Sequence, residues 1–317
     1  MMCLLVFALA LLFATVPAPA QRPTEALTLV DLTDDFDSFW QSSQSLDEPA
    51  RVAAFRSRMD PLLPGFYAPR GGVDDARYAR HVGQALAAYP QQRDGVREVS
   101  RRFSSLFAPA LRSFERSLGP FREPQRIFLV HSLGEMDGGT RELARGVTLI
   151  FGADMIARYH LGHDIRPFFH HELFHLRHFT TFRECGAVWC SLWSEGLATY
   201  AAKQLNPNAT EAELLLTIPE PIPAQVEAHR AEAVCAVVSR FNSTSPDDLR
   251  ALFSFRRLNE RLPPRFGYYV GYLAAAELGR THGLRDLVAM TNDEVRPELE
   301  RVLRRMAACP APHAGGE

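Results

Sequence analysis

From Phe168 to Thr180 the chain contains no glycine and no proline, while Phe168, Phe169, Leu173, Phe174, Leu176 and Phe179 are all large and apolar. On a helical period these side chains cover most of a cylinder, so the stretch predicts a helix buried on nearly all sides. Asp164 can cap it, and Pro167 suits its first turn, where a missing N–H costs nothing. Yet the same helix carries His170, His171, Glu172, His175 and His178. Buried polar groups need partners. A chain with this segment must build its interior around a polar site.

The spacing says which groups act together. His171 and His175 are four apart and project from one helix face, with Glu172 roughly 100° round. This is the H-E-x-x-H pattern, in which two imidazoles grip one metal ion and the glutamate reaches a water beside it. A catalytic zinc takes three protein ligands. His178 lies near the same face but about 10 Å along the axis from His171, too far to share one ion. It reads as a core or supporting histidine, and His170 faces elsewhere. Glu195 is the candidate third ligand: 19 residues separate it from His175, enough for one helix, a turn and an antiparallel return. Ser191 or Ser194 would start that second helix, which continues through Leu197–Leu205. Two plainer readings stand beside this one. The histidines could be satisfied by hydrogen bonds in a core, and Glu195 could be a first-turn glutamate favoured by the helix dipole.

His171-Glu172-x-x-His175 followed by Glu195-Gly196-Leu197-Ala198-x-Tyr200 resembles the gluzincin clan of zinc metallopeptidases. Across residues 126–205 the similarity extends to bacterial predicted zinc-dependent proteases. The resemblance implies a zincin-like catalytic unit, with a small sheet ahead of the H-E-x-x-H helix and Val147–Phe151 as the edge strand that takes extended substrate. It implies Zn2+ on His171, His175 and Glu195, and Glu172 as general base. It also implies a phenol that steadies the oxyanion: Tyr268, with Tyr200 as the alternative. Packing aromatics would account for the Tyr268–Tyr272 cluster equally well. The expected function is an exported zinc metallopeptidase acting on peptides or proteins. A zinc hydrolase of a non-peptide bond, and a non-catalytic zincin-fold binding protein of the cell envelope, are the alternatives.

Other features bound the setting. Leu4–Val16 is apolar, too short to span a bilayer, and followed by Ala18-Pro19-Ala20, so residues 1–20 read as a secretory signal cleaved near Ala20. The expected location is periplasmic or secreted, with no stable membrane span after cleavage. Cys185, Cys190, Cys235 and Cys309 then remain, and the spacing suits the pairs Cys185–Cys190 and Cys235–Cys309. A hydrophobic content of 46% and a net charge near −2 fit a globular protein, and the lack of a basic stripe argues against nucleic-acid binding. Oligomeric state leaves no mark in the sequence.

The fold class is α+β, mainly α. Residues 21–120 read as a helical segment, with Phe36, Phe39, Trp40, Val52, Phe55 and Met59 at helical intervals and breaks at Pro61, Pro64 and Gly71-Gly72. Helices are expected over Tyr78–Ala88 and Val96–Leu118. Residues 121–309 form the site-bearing unit. Strands are expected at Arg126–Val130 and Gly146–Phe151, joined by a flexible Gly134–Thr140 connection, and a short helix at Ala153–Tyr159. Beyond a polar, proline-punctuated Asn206–Pro223, helices are expected at Ala224–Phe241, Pro246–Ser254, from Pro263 through Ala276, and at Leu284–Ala308. Residues 310–317 read as a disordered tail.

Overall fold

The computed structural model describes residues 26–69, 73–144 and 146–309, so the expected signal segment, the Gly71-Gly72 break and the 310–317 tail lie outside the described residues. The architecture is α+β and mainly helical. One sheet holds β1 (Leu27–Asp31), β2 (Gln125–Val130), β3 (Gly138–Leu143) and β4 (Gly146–Gly152), in the order β1-β2-β4-β3. β1 is parallel to β2, with Leu27 opposite Gln125 and Asp31 opposite Leu129; β2 is parallel to β4, and β3 is antiparallel to β4. The strand from residues 21–120 thus pairs with one from residues 121–309.

Two strands depart from the sequence reading. β1 was not expected at all. β3 occupies the supposed flexible connection, and β4 is paired on both sides, so the edge strand is β3 and not Val147–Phe151. Glycines weaken the local strand signal, but Gly138 answers a packing demand. A Cβ there would sit 2.7 Å from Cγ of Glu172 and 2.7 Å from Cζ of Phe168. The strand can lie against the helix only where a side chain is missing.

Three helices separate β1 from β2: α1 (Thr33–Ser42), α2 (Glu48–Met59) and α3 (Asp75–Leu118). α3 is a single rod of 44 residues, where two shorter helices were expected, and it contains Pro90 and Pro109. Each proline removes one helical N–H and opposes the helix. The buried row Tyr78, Val82, Leu86, Tyr89, Val96, Val99, Phe103, Phe107, Leu111 and Phe114 recurs every one or two turns and outweighs that opposition. Phe103 and Phe107 meet Phe151 of β4 and Phe169 edge-on, with ring centroids 5.1–5.6 Å apart. Each such ring stabilises the fold by about 2–3 kcal/mol through burial. Here the sheet, α3 and the H-E-x-x-H helix share one core.

After the short α4 (Ala153–Tyr159), that helix is α5 (Arg166–His178), with Pro167 in its first turn as expected. Its N-cap is Ile165, not Asp164; the Asp164 carboxylate instead accepts from the Arg166 N–H at 3.0 Å. α6 (Val188–Leu205) begins before both Ser191 and Ser194. The reason is tertiary: the Val188 and Trp189 N–H groups donate to the carbonyls of Ser243 and Phe241 at 2.9 and 3.0 Å. A remote segment caps the helix, so no local cap residue is required.

The expected helix Ala224–Phe241 is two, α7 (Ile222–Ala228) and α8 (Arg230–Val238), broken at His229. α9 (Pro246–Phe253) and α10 (Phe266–Leu278) follow. The terminal helix is likewise two, α11 (Leu284–Ala289) and α12 (Asn292–Met306). α10 crosses α6 backbone to backbone: a Cβ on Gly196 would lie 2.2 Å from the carbonyl carbon of Gly271. The disulfides are Cys185–Cys190, joining the α5–α6 loop to the first turn of α6, and Cys235–Cys309, tying α8 to the end of the described chain. Both are the expected pairs, and both point to a location outside the cytoplasm. Among the described residues no helix is long and apolar enough to cross a membrane.

Candidate metal centre

α5 and α6 pack together and bring three donors to one point. The Nε2 atoms of His171 and His175 are 3.1 Å apart, and Oε2 of Glu195 lies 3.2 Å from the first and 3.3 Å from the second. Zinc bonds of roughly 2.0–2.1 Å in a tetrahedron separate neighbouring donors by about 3.3 Å. The triangle therefore has the edge lengths of one tetrahedral face. A group of this composition could hold a metal ion. Ser194 Oγ stands 3.4 Å from Nδ1 of His175, on the side away from that point.

Electrostatics bind the triangle together. Burial works against a charge on His175, but the Glu195 carboxylate overrides it and lifts the imidazole to about 9. Burial would raise Glu195; His175 and then His171 outweigh it and hold the carboxyl well below the usual range. His171, unlike His175, is shifted down, foremost by burial and also by the charge of its neighbour His175. A metal bound here would take the place of protons, since its ligands must be deprotonated.

Glu172 lies beside the triangle and is 5% exposed. Burial raises its carboxyl to about 8. Its Oε2 has no hydrogen-bond partner among the described residues. A buried carboxylate oxygen without a donor is costly, and a water held at the triangle would remove that cost. The donor set and the orphaned oxygen both fit a bound metal ion.

The other histidines of α5 serve the core. His178 stacks on Phe182 with centroids 4.7 Å apart, and burial depresses it to about 3. His170 bridges α3 and α6: its Nε2 lies 2.8 Å from Ser113 Oγ and 3.1 Å from the Ala110 carbonyl, and its Nδ1 is 2.8 Å from Asn206.

The triangle and Glu172 open into a cleft of about 310 Å³. Gly138–Arg141 of β3 form part of its wall, with Glu184, Leu214, Leu215, Arg265 and Tyr268. Glu195 keeps 26% of its side chain exposed, so the triangle is reachable from the cleft. Tyr268 faces it, its phenol held protonated by burial and by the nearby Glu195 charge. Tyr200 does not: its hydroxyl packs where a Cβ on Gly279 would be, 2.2 Å away, and it is absent from the cleft wall. Asp137 also lines the cleft and holds His160 at 2.9 Å.

Sequence reasoning did not single out Arg141, Arg265, Glu184 or the Asp137–His160 pair. Arg265 carried one usable signal, its place between two prolines and a glycine-rich helix start. No family model matches the chain, and no curated protein or solved structure matches it.

Proposed function

We propose that the protein is a zinc-dependent metallopeptidase of the gluzincin type, built on a zincin-like unit and working outside the cytoplasm. The observation that carries this reading is the three-donor triangle, with its 3.1–3.3 Å edges, beside the buried Glu172 carboxylate. His171, His175 and Glu195 hold the metal. Bound there, zinc supplies a Lewis acid and brings the pKa of a water to near 7.

This chain's residues supply the rest. Glu172 takes the proton of the attacking water and returns it to the leaving amine as the C–N bond breaks. Burial lifts the Glu172 carboxyl, and a dication bound at the triangle would pull it back toward a carboxylate able to accept a proton near neutral pH. Tyr268 donates its phenolic proton as a hydrogen bond to the substrate carbonyl oxygen while charge builds there. β3 is a sheet edge whose Gly138–Arg141 stretch faces the cleft, so an extended peptide lies along it by strand addition.

The test is cleavage of a diverse peptide library by the zinc-loaded protein, read by mass spectrometry, with Glu172→Gln alongside. Cuts made by the wild type and missing with the variant are expected. Matching cut patterns from the two proteins, or no cuts from a wild type that holds one zinc, would overturn the proposal.

A further inference from the structure

One charge of the cleft has no part in this chemistry. Asp137, Glu184 and Glu195 are each answered by the protein's own donors. Asp137 has His160 and the Gly138 N–H. Glu184 has the N–H groups of Gly186 and Cys185 and the Ser191 hydroxyl. Glu195 has the two histidines. Arg265 has only neutral partners among the described residues. Its Nη1 donates to the carbonyls of Leu215 at 3.3 Å and Ile218 at 3.0 Å, and its guanidinium lies 4.5 Å from the Tyr268 ring centroid and 5.8 Å from that of Phe255. Carbonyls and rings hold a guanidinium in place without neutralising it.

The backbone at this point is also unusual. Arg265 and Leu215 both have left-handed φ values, 62° and 58°, and the first is hydrogen-bonded to the second. Such residues persist only when their surroundings over-determine them, and they cluster at ligand clamps. Arg265 is the N-cap of α10, three residues ahead of Tyr268, and its charge is felt at His171. Arg141 of β3 lines the same cleft, and its charge is felt at Glu172. A metal dication would add more positive charge between them. An anion from the substrate would offset it.

We infer that the cleft selects a substrate bearing a carboxylate close to the scissile bond, with Arg265 as the group that binds it. The planar fork of the guanidinium matches a carboxylate in a way that a lone ammonium does not. The carboxylate is either a peptide C-terminus or an Asp or Glu side chain, and both present the same two oxygens. The inference deepens the metallopeptidase reading and rests on it for the bond that is cut.

Two peptide pairs separate the sources. One is N-acetyl-Ala-Phe-Leu as free acid and as amide. The other is amidated N-acetyl-Ala-Phe-Asp-Leu and its Asn counterpart. Binding is measured by calorimetry on zinc-loaded Glu172→Gln, whose turnover on the proposed mechanism is slowed at least about 100-fold. In at least one pair the carboxylate member should bind roughly 10- to 100-fold tighter. Adding Arg265→Gln should bring that ratio to within about threefold, and Arg265→Lys should fall between, because it keeps the charge and loses the fork. The ratio cancels any loss of binding common to both members, and the comparison on the unaltered Arg265 requires no folded variant at that position. Equal binding in both pairs, no binding of any peptide, or a preference that survives Arg265→Gln would overturn the inference. Cleavage by the protein with Glu172 intact decides the other question. Selective binding without any cut retires the peptidase reading and keeps carboxylate recognition; cuts without selectivity do the reverse.

Discussion

In the proposed mechanism Glu172 separates holding a metal from using it. Glu172→Gln keeps the side chain's shape and removes its basicity, so the protein should retain one zinc by atomic emission while turnover falls about 10²- to 10⁴-fold. His171→Ala or Glu195→Ala should lose both zinc and activity, since either leaves a two-donor site. A residue remote from the cleft carries a different expectation. Asp37 accepts from Arg93, Arg97, Tyr89 and Gln41 at 2.6–3.0 Å. Arg93 foremost, helped by Tyr89 and Arg97, overcomes burial and pulls its carboxyl well below the usual aspartate range. The stabilisation from this depressed group is present above about pH 4 and is lost as pH falls toward the lower native value. Asp37→Asn should cost about 2–3 kcal/mol at pH 7, moderated because both arginines reach solvent, and should flatten the acid limb of a urea-midpoint against pH curve. The histidine pair was legible in the sequence because its relation is local: four positions on a helix fix two imidazoles on one face. Arg265 was not, because its meaning lies in what is missing around it, and only the folded chain shows a guanidinium surrounded by carbonyls and rings.

Elements were read well where one pattern dominates and poorly where distant parts of the chain decide. α5 announces itself by large apolar side chains around most of the helix with no glycine or proline from Phe168 to Thr180, and β4 by the β-rich run Val147–Phe151. β3 does not, because its Gly138 answers to Glu172 and Phe168 rather than to strand propensity. The start of α6 is set by carbonyls near residue 242, more than forty positions away, so neither serine nearby could mark it. α3 runs through two prolines because its buried stripe never lapses. Two expectations belong at this scale. Gly138→Ala forces a Cβ into Glu172 and Phe168; it should cost about 1–3 kcal/mol in urea unfolding and depress kcat more than zinc content. Gly196→Ala drives a Cβ into the backbone of Gly271, which cannot yield as a flexible side chain would, and should cost about 3 kcal/mol or more.

For the molecule as a whole, the two disulfides act over different spans. Cys235–Cys309 closes a separation of 74 residues and Cys185–Cys190 one of 5. By chain entropy the first stabilises by about 4 kcal/mol and the second by about 2 kcal/mol. Replacing Cys235 and Cys309 together by serine should therefore lower the urea midpoint roughly twice as much as replacing the short pair. Equal effects would show that the unfolded chain is already confined near one of them. The contact between Gly196 and Gly271 has a mechanical meaning on this scale. Glu195 is the next residue before one glycine, and Tyr268 is one helical turn before the other. The two helices touch main chain to main chain, with no side chain between them to act as a cushion. They are geared: a rotation of α6 that shifts the carboxylate must be answered by α10 and so by the phenol. Both helices are buried or half-buried along nearly their whole length, so the spacing between Glu195 and the Tyr268 phenol is kept by two residues that have no side chains to lose.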